Sequence, residues 1–510
     1  MANDPTFNLK TGADTDLYYS REVVSGTDVG KLKSSENGFV YPALTRTTGN
    51  SIKGSTESIE SNELRKGRVK SAPRKGNSSS EGSVDFELSP ITFDDFMSAA
   101  FRNEWKPWTS DTDSKINLDK KQYAPGYFGT RCTASKEFGA KKLLGTEADP
   151  ECKDDSKGLI TVKDDATLSR CVVRELTCGD TDIKYMLMKK FGGVKGEDLY
   201  QRFNHIAINT FSLDIAVGSI ITGSFGILGT TDPKLKDENS IKDDFGGKRN
   251  TADADTIGSG NESFVDTSIT GKDFIEKLPE KSTSTEQLTA REGFLYINGK
   301  NIEFANSLSL EINNGLEHKF AIFVPSAIST TPLTLDITGT LQSYLVKDGA
   351  DEIFNSAVDD LDNELLFCVQ DNDEDPEYMY MFQIFKTKFT DHEASVSGAD
   401  SIDVSYPFQS FEEKAVRVLS VVVSDIGTLS VAETKDSVSF TPNYPVNSAD
   451  IASNAPAVTF TPTDGSPQTV AGTASVVNGV IKYTFDNALA DAGELKVTWN
   501  TQSVSANIAA

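Results

Sequence analysis

Two stretches of the chain match each other without a gap, 257 residues apart. The first runs Gly82-Ser-Val-Asp-Phe-Glu-Leu88 and resumes at Asp94-Asp-Phe-Met-Ser-Ala-Ala100. The second runs Gly339-Thr-Leu-Gln-Ser-Tyr-Leu345 and resumes at Asp351-Glu-Ile-Phe-Asn-Ser-Ala357. Each copy predicts an alternating strand, a turn and a short helix opened by acidic residues. An internal duplication of this kind requires two related β domains. Such doubled domains suit symmetric assemblies and point away from an enzyme.

Length and composition narrow this further. A chain of 510 residues has room for roughly three domains, each with its own core. Thr, Ser, Val and Ile runs predict a mainly β fold. The net charge of −26 makes nucleic acid and anionic membranes poor ligands, because like charges repel. Passage close to nucleic acid without adhesion is compatible with that charge. The first residues lack a basic and an apolar region, so no signal peptide is predicted and synthesis in a cytoplasm is expected. The weakly polar run Ile215 to Gly229 is too short and too rich in Gly, Ser and Thr to span a bilayer.

The pattern divides the chain into a polar arm (1–40), a first β domain (41–230) with an irregular insertion near 103–197, and a polar linker (231–290). A second β domain (291–426) and a C-terminal domain (427–510) follow. The C-terminal domain shows short alternating segments separated by turn residues, the pattern of a small β-sandwich. Its Asp491-Ala-Gly-Glu-Leu-Lys-Val497 resembles the Asp-x-Gly-x-Tyr-x-Cys corner of immunoglobulin domains, with Leu495 and Val497 in place of Tyr and Cys.

No catalytic motif emerges. His205, His318 and His392 lie far apart, and there is no Gly-x-Ser-x-Gly, P-loop or dinucleotide fingerprint. The five cysteines (Cys132, Cys152, Cys171, Cys178 and Cys368) lack the paired spacing of a zinc site and read as reduced thiols, with one or two disulfides as the alternative. Asp371 to Glu377 starts like a calcium-binding loop but has Pro376 where Gly is required and Phe382 where a bidentate Glu is needed. No cofactor and no metal is expected.

Splitting each alternating strand by face gives a sharper signal. The polar faces carry Asp85, Glu87, Asp214, Glu311, Asp336 and Asp403, interspersed with Ser, Thr, Asn and Gln and without Lys or Arg. Any solvent-facing sheet of an acidic protein could look like this. The functional reading is a wall against which something anionic, such as DNA in transit, must not adhere. Lys386 and Lys388 break the pattern on one strand. A basic run, Arg65, Lys66, Arg68, Lys70, Arg74 and Lys75, reads as a solvated loop or as a contact with an acidic neighbouring subunit.

The order of several short motifs resembles the tail tube (major tail) proteins of long, non-contractile bacteriophage tails, the siphovirus type. They are Thr47 to Ile52, Glu60 to Arg65 with Arg68, Gly82 to Leu88 with Phe93 to Asp95, and Asn209 to Leu213 with Thr222 to Phe225. In the second half they are Ser309 to Gly315, Ile337 to Thr340 and Tyr406 to Phe408. The resemblance implies two tandem tail-tube β-sandwich or barrel domains, each with a flanking helix, followed by an Ig-like β-sandwich on the outside. It implies rings of three subunits with pseudo-sixfold symmetry, stacked around a channel for double-stranded DNA that is not bound specifically. The six acids would then face the lumen and the basic run a neighbouring subunit. Other partners implied are the tape measure, tail terminator and distal tail proteins, in a virion made in the host cytoplasm, with no membrane. Four strands from each of six domains, about 4.8 Å apart, would enclose a bore roughly 37 Å across. Two other classes stay open: a surface or secreted β-domain adhesin binding glycan or host protein, and an enzyme, with a hydrolase foremost.

Overall fold

A computed structural model describes residues 15–22, 32–33, 43–61, 72–107, 137–138, 160–161, 171–192, 198–237, 286–297, 300–346, 350–358, 361–371, 378–391, 393–395, 402–411, 416–423, 426–442, 446, 451–452, 455–463, 465–477, 480–489, 492–499 and 502–508. The fold is mainly β.

The first half contains β1 (Thr15–Glu22), β2 (Lys53–Ile59), β3 (Arg74–Glu87), α1 (Asp94–Phe101), β4 (Cys171–Thr177), β5 (Lys184–Phe191), β6 (Leu199–Ala216) and β7 (Thr222–Gly229). β3 shows why the alternation reads as a strand. Val84, Phe86 and Leu88 are buried, while Ser83, Asp85 and Glu87 between them are partly exposed. After a turn the chain enters α1, whose first turn carries Asp94 and Asp95, and it leaves at Arg102 in the left-handed region. All eight residues of α1 are buried, the two aspartates included.

The second half contains β8 (Gly293–Ile297), β9 (Ala305–Asn313), a small hairpin of β10 (Glu317–Lys319) and β11 (Ser329–Thr331), β12 (Asp336–Tyr344), α2 (Ala350–Val358), β13 (Asn363–Gln370), β14 (Tyr378–Phe389), β15 (Glu393–Ser395), β16 (Asp403–Ser410) and β17 (Val416–Val423). The duplicated stretches fold alike. β3 ends at Glu87 and β12 at Tyr344, again 257 residues apart, and each is followed by a helix. Pairings repeat as well. β1 lies on β5 as β8 lies on β13, and β3 lies on β7 as β12 lies on β16.

Among the described residues, two strand pairings join the halves. β6 pairs with β9 from Thr210↔Asn313 to Ala216↔Ser307, which makes one antiparallel sheet in the order β2-β3-β7-β6-β9-β12-β16-β15. β4 of the first half adds to the edge of β17, extending the second half's other sheet, β8-β13-β14-β17-β4. A single apolar cluster runs through both halves, from Leu17 and Phe86 to Phe382 and Val418.

The structure corrects two sequence expectations. Thr15–Glu22, assigned to a polar arm, is a strand paired along its whole length with β5. Residues 171–191, assigned to an irregular insertion, supply β4 and β5, and β5 sits between β1 and β6. Both errors have one cause. Leu17–Glu22 and Tyr185–Lys189 are buried on both faces, so no polar-apolar alternation marks them. The linker also has ordered ends. Lys236–Asp237 pairs with the start of β6, and Leu288 is buried between Leu88 and Ile221, bonded to both main chains. Residues 238–285 lie outside the described set, as do 108–136, 139–159 and 162–170.

The C-terminal region forms two four-stranded antiparallel sheets. One contains β18 (Ser430–Val431), β19 (Ser437–Phe440), β22 (Gly472–Val477) and β23 (Val480–Phe485), in the order β18-β19-β23-β22. The other contains β20 (Ala457–Pro462), β21 (Gln468–Thr469), β24 (Gly493–Trp499) and β25 (Gln502–Ile508), in the order β21-β20-β24-β25. Phe440, Val458, Ile481, Leu495, Val497 and Trp499 share their core, which also takes in Ile91 and Val422 from the first two halves.

Candidate functional site

The sheet shared by both halves brings all six candidate acids to one face. Strand register fixes this, because residues opposite each other on paired strands point the same way. One row across the sheet reads Asp85, Ser224, Ser212, Glu311, Thr338, Gln409. The next reads Glu87, Thr222, Asp214, Ser309, Thr340, Pro407. Asp336 stands opposite Asn313 and Asp403 opposite Tyr344, on the same face. The reverse face carries Phe86, Phe225, Phe211, Leu310, Ile312, Leu341 and Tyr406, all buried.

Asp214, Glu311, Asp336 and Asp403 are exposed, and Asp85 and Glu87 are partly so. Ser224 Oγ, opposite Asp85 on the paired strand, donates to Asp85 Oδ1 at 2.7 Å. No Lys or Arg occupies this face in the two rows as far as β16, and Lys388 on β14 continues the first row beside Gln409. Among the described residues, positive charge enters toward the flanks. Lys53 on β2 pairs with Glu81 at 3.3 Å, and Lys388 on β14, opposite Gln409, reaches Asp362 at 4.0 Å and lies over the Phe411 ring. Lys386 is exposed at a left-handed backbone position. Of the basic run, Arg74 and Lys75 are exposed at the start of β3, opposite Ile59 and Ser58, while Arg65, Lys66, Arg68 and Lys70 lie outside the described residues.

A second polar cluster escaped sequence reasoning, and it is buried. Arg174 Nη2 donates to Asp94 Oδ2 at 2.5 Å and to Ser420 Oγ at 3.1 Å. Tyr380 Oη donates to Asp94 Oδ1 at 2.6 Å and accepts the Ile91 N–H at 2.7 Å. The Trp105 indole N–H donates to the Asp94 carbonyl at 2.9 Å, and the Arg174 guanidinium sits 5.1 Å from that ring's centre. Next door, Tyr19 Oη donates to Asp95 Oδ2 at 3.1 Å and Tyr185 Oη to the Asp95 carbonyl at 2.6 Å. Burial pushes the Asp94 carboxyl up, and Arg174 and Tyr380 oppose that shift. The cluster ties α1 and β4 to β14 and β17, so it fastens the halves together. The one signal for it in the sequence is the Asp94-Asp95 pair opening a helix otherwise too apolar to face water.

The remaining titratable groups are dispersed. His205 Nδ1 meets Glu22 Oε2 at 2.6 Å, and this hydrogen bond raises the His205 pKa. His318 Nε2 lies 2.9 Å from the Gly229 carbonyl, and His392 is outside the described residues. Burial pushes the Cys178 thiol up to about 12, and Cys368 is buried on β13. Cys132 and Cys152 are outside the described residues, as is most of the acidic stretch after Asp371. Among the described residues, no group of three or more His, Cys, Asp and Glu could hold a metal, and no helix is long and apolar enough to cross a membrane.

In comparisons with known proteins, a family model described as phage tail tube protein matches residues 12–410. That span holds both duplicated units, the sheet they share and the acidic face. No curated protein matches the chain.

Proposed function

The chain belongs to the phage tail tube protein family, and on that premise we propose that it forms stacked rings whose acidic wall lines the conduit for DNA ejection. The observation that carries this reading is the gathering of six acids onto one face of one sheet built by both halves. Each chain offers eight strands to that sheet, four from each half. Three chains would close it into a pseudo-sixfold barrel of twenty-four strands. At about 4.8 Å per strand the bore is roughly 37 Å across before strand tilt widens it, enough for a duplex. Among the described residues β2 lies exposed at one edge, and at the other β15 and the last residues of β14 together cover β16. Joining these edges between chains would remove both, and unpaired edges otherwise promote aggregation.

Within the tube the role is physical. Acids on the wall repel phosphates, so a duplex slides without binding. The two sheets of 427–510 form an Ig-like domain on the outside, and the tail is of the long non-contractile type. The tape measure protein would fill the bore before ejection, and the terminator and distal tail proteins would cap its ends. The product is a virion component made in the host cytoplasm. Exchanging Asp85, Glu87, Asp214, Glu311 and Asp336 for their amides tests the wall. Virions carrying the variant should assemble tails of normal length and release DNA more slowly. Ejection at the unaltered rate would remove the lumen assignment.

A further inference from the structure

The strands of the shared sheet end in two exposed apolar patches, at opposite ends. One is the apex of the β10–β11 hairpin, where Phe320, Ile322, Phe323 and Ile328 are exposed, Phe323 completely. The other is the rim formed by the β6–β7 turn and the end of β12, where Val217, Ile220, Tyr344, Leu345 and Val346 are exposed. β9 fixes their separation. It starts beside Ala216 at the rim and ends at Asn313, shortly before the hairpin. Nine residues of strand place the patches about 30 Å apart.

The hairpin is anchored to the body of its own chain through Pro325 and Ala327, and Phe320, Ile322 and Phe323 stay exposed beyond that anchor. Ser78 N–H donates to the Pro325 carbonyl at 2.8 Å and Ala327 N–H to the Ser78 carbonyl at 2.9 Å, clamping the hairpin to β3. Phe323 adopts a left-handed backbone with φ 66°, a conformation that costs about 1–3 kcal/mol for a residue of this kind. Side chains this apolar, held out by a fixed frame, mark a contact surface.

We propose that the hairpin apex of one chain seats on the apolar rim of a second copy, and that this contact stacks one ring on the next. The inference rests on the tube reading above, which supplies the second copy. Its geometry comes from the chain itself. When copies share one orientation along the strand axis, patches at opposite ends meet head to tail, and a head-to-tail contact that does not close generates an open filament. Burying several large apolar side chains makes such a contact strong enough to control the assembly.

Two sets of variants test it on the full-length purified protein. The first set is Ile322→Ser with Phe323→Ser at the apex, and Val217→Asp at the rim. All three positions are exposed, so melting should match the parent. Each variant should form rings, and should raise the concentration needed for tubes at least roughly tenfold. In the second set, Phe323→Cys combined with Val217→Cys should give a covalent ladder of chains when tubes are oxidised, absent from either single variant. Tubes at the parent's concentration, or oxidised tubes without the ladder, would each overturn the stacking contact. A parent protein that forms no tubes would instead overturn the tube reading itself.

Discussion

At the scale of single residues, the chain keeps its charges in two very different environments. The acids of the wall meet solvent, whereas Asp94 and Arg174 are buried and hydrogen-bonded, with partners from both halves. Removing one partner of such a pair leaves the other charge without compensation. Arg174→Met is expected to cost about 3–5 kcal/mol in denaturant unfolding, and adding Asp94→Asn should recover part of that loss. Equal stability of parent and single variant would mean the pair does not fasten the halves. Glu364 supplies a second test. Burial pushes its carboxyl up from 4.5 to about 8, with Arg417 pulling the other way. The folded chain therefore holds a proton that the unfolded chain has released, and stability falls as pH rises through that window. The melting temperature should drop between about pH 5 and about pH 8, and Glu364→Gln should flatten part of the drop. Asp94 and His205, both raised, contribute slopes of the same sign, so some decline remains in the variant. The partners in the Asp94 cluster were not legible in the sequence. Arg174 lies 80 residues from Asp94 and Tyr380 lies 286 away, and no local pattern links residues so distant.

At the scale of elements, legibility follows burial. β3, β9, β12, β16 and the second part of β6 each have one polar and one buried face, and their alternation marks them in the sequence. β1 and β5 are covered on both sides and carry no such mark. The same elements show why particular glycines occur where they do. Gly339 on β12 lies opposite Phe408 on β16, and a Cβ there would meet the Phe408 ring and the Ser309 carbonyl. Gly223 on β7 stands in the same relation to Phe86 on β3 and the Ser212 carbonyl. Each half thus lays an aromatic ring over a bare stretch of neighbouring backbone. Gly339→Ala should displace the Phe408 ring and cost about 1–3 kcal/mol. A variant as stable as the parent would show that the ring has room to move.

At the scale of the whole molecule, the sequence supplies the two faces of each strand, and only the structure supplies their neighbours. The β6–β9 pairing brings Glu311 into the row of Asp85, beside the row that holds Asp214 and Glu87, so that acids from both halves share one face. No periodicity in either strand encodes that pairing, because it depends on how the halves meet. The C-terminal sheets share a core with Ile91 and Val422, and among the described residues they have no strand in common with this face. The most direct measurement is electron cryomicroscopy of particles assembled from the purified full-length chain. The account predicts hollow tubes of constant width, three chains per ring, with Asp85, Asp214, Glu311 and Asp336 facing the bore. Particles without a bore, or tubes with that face turned outward, would contradict it.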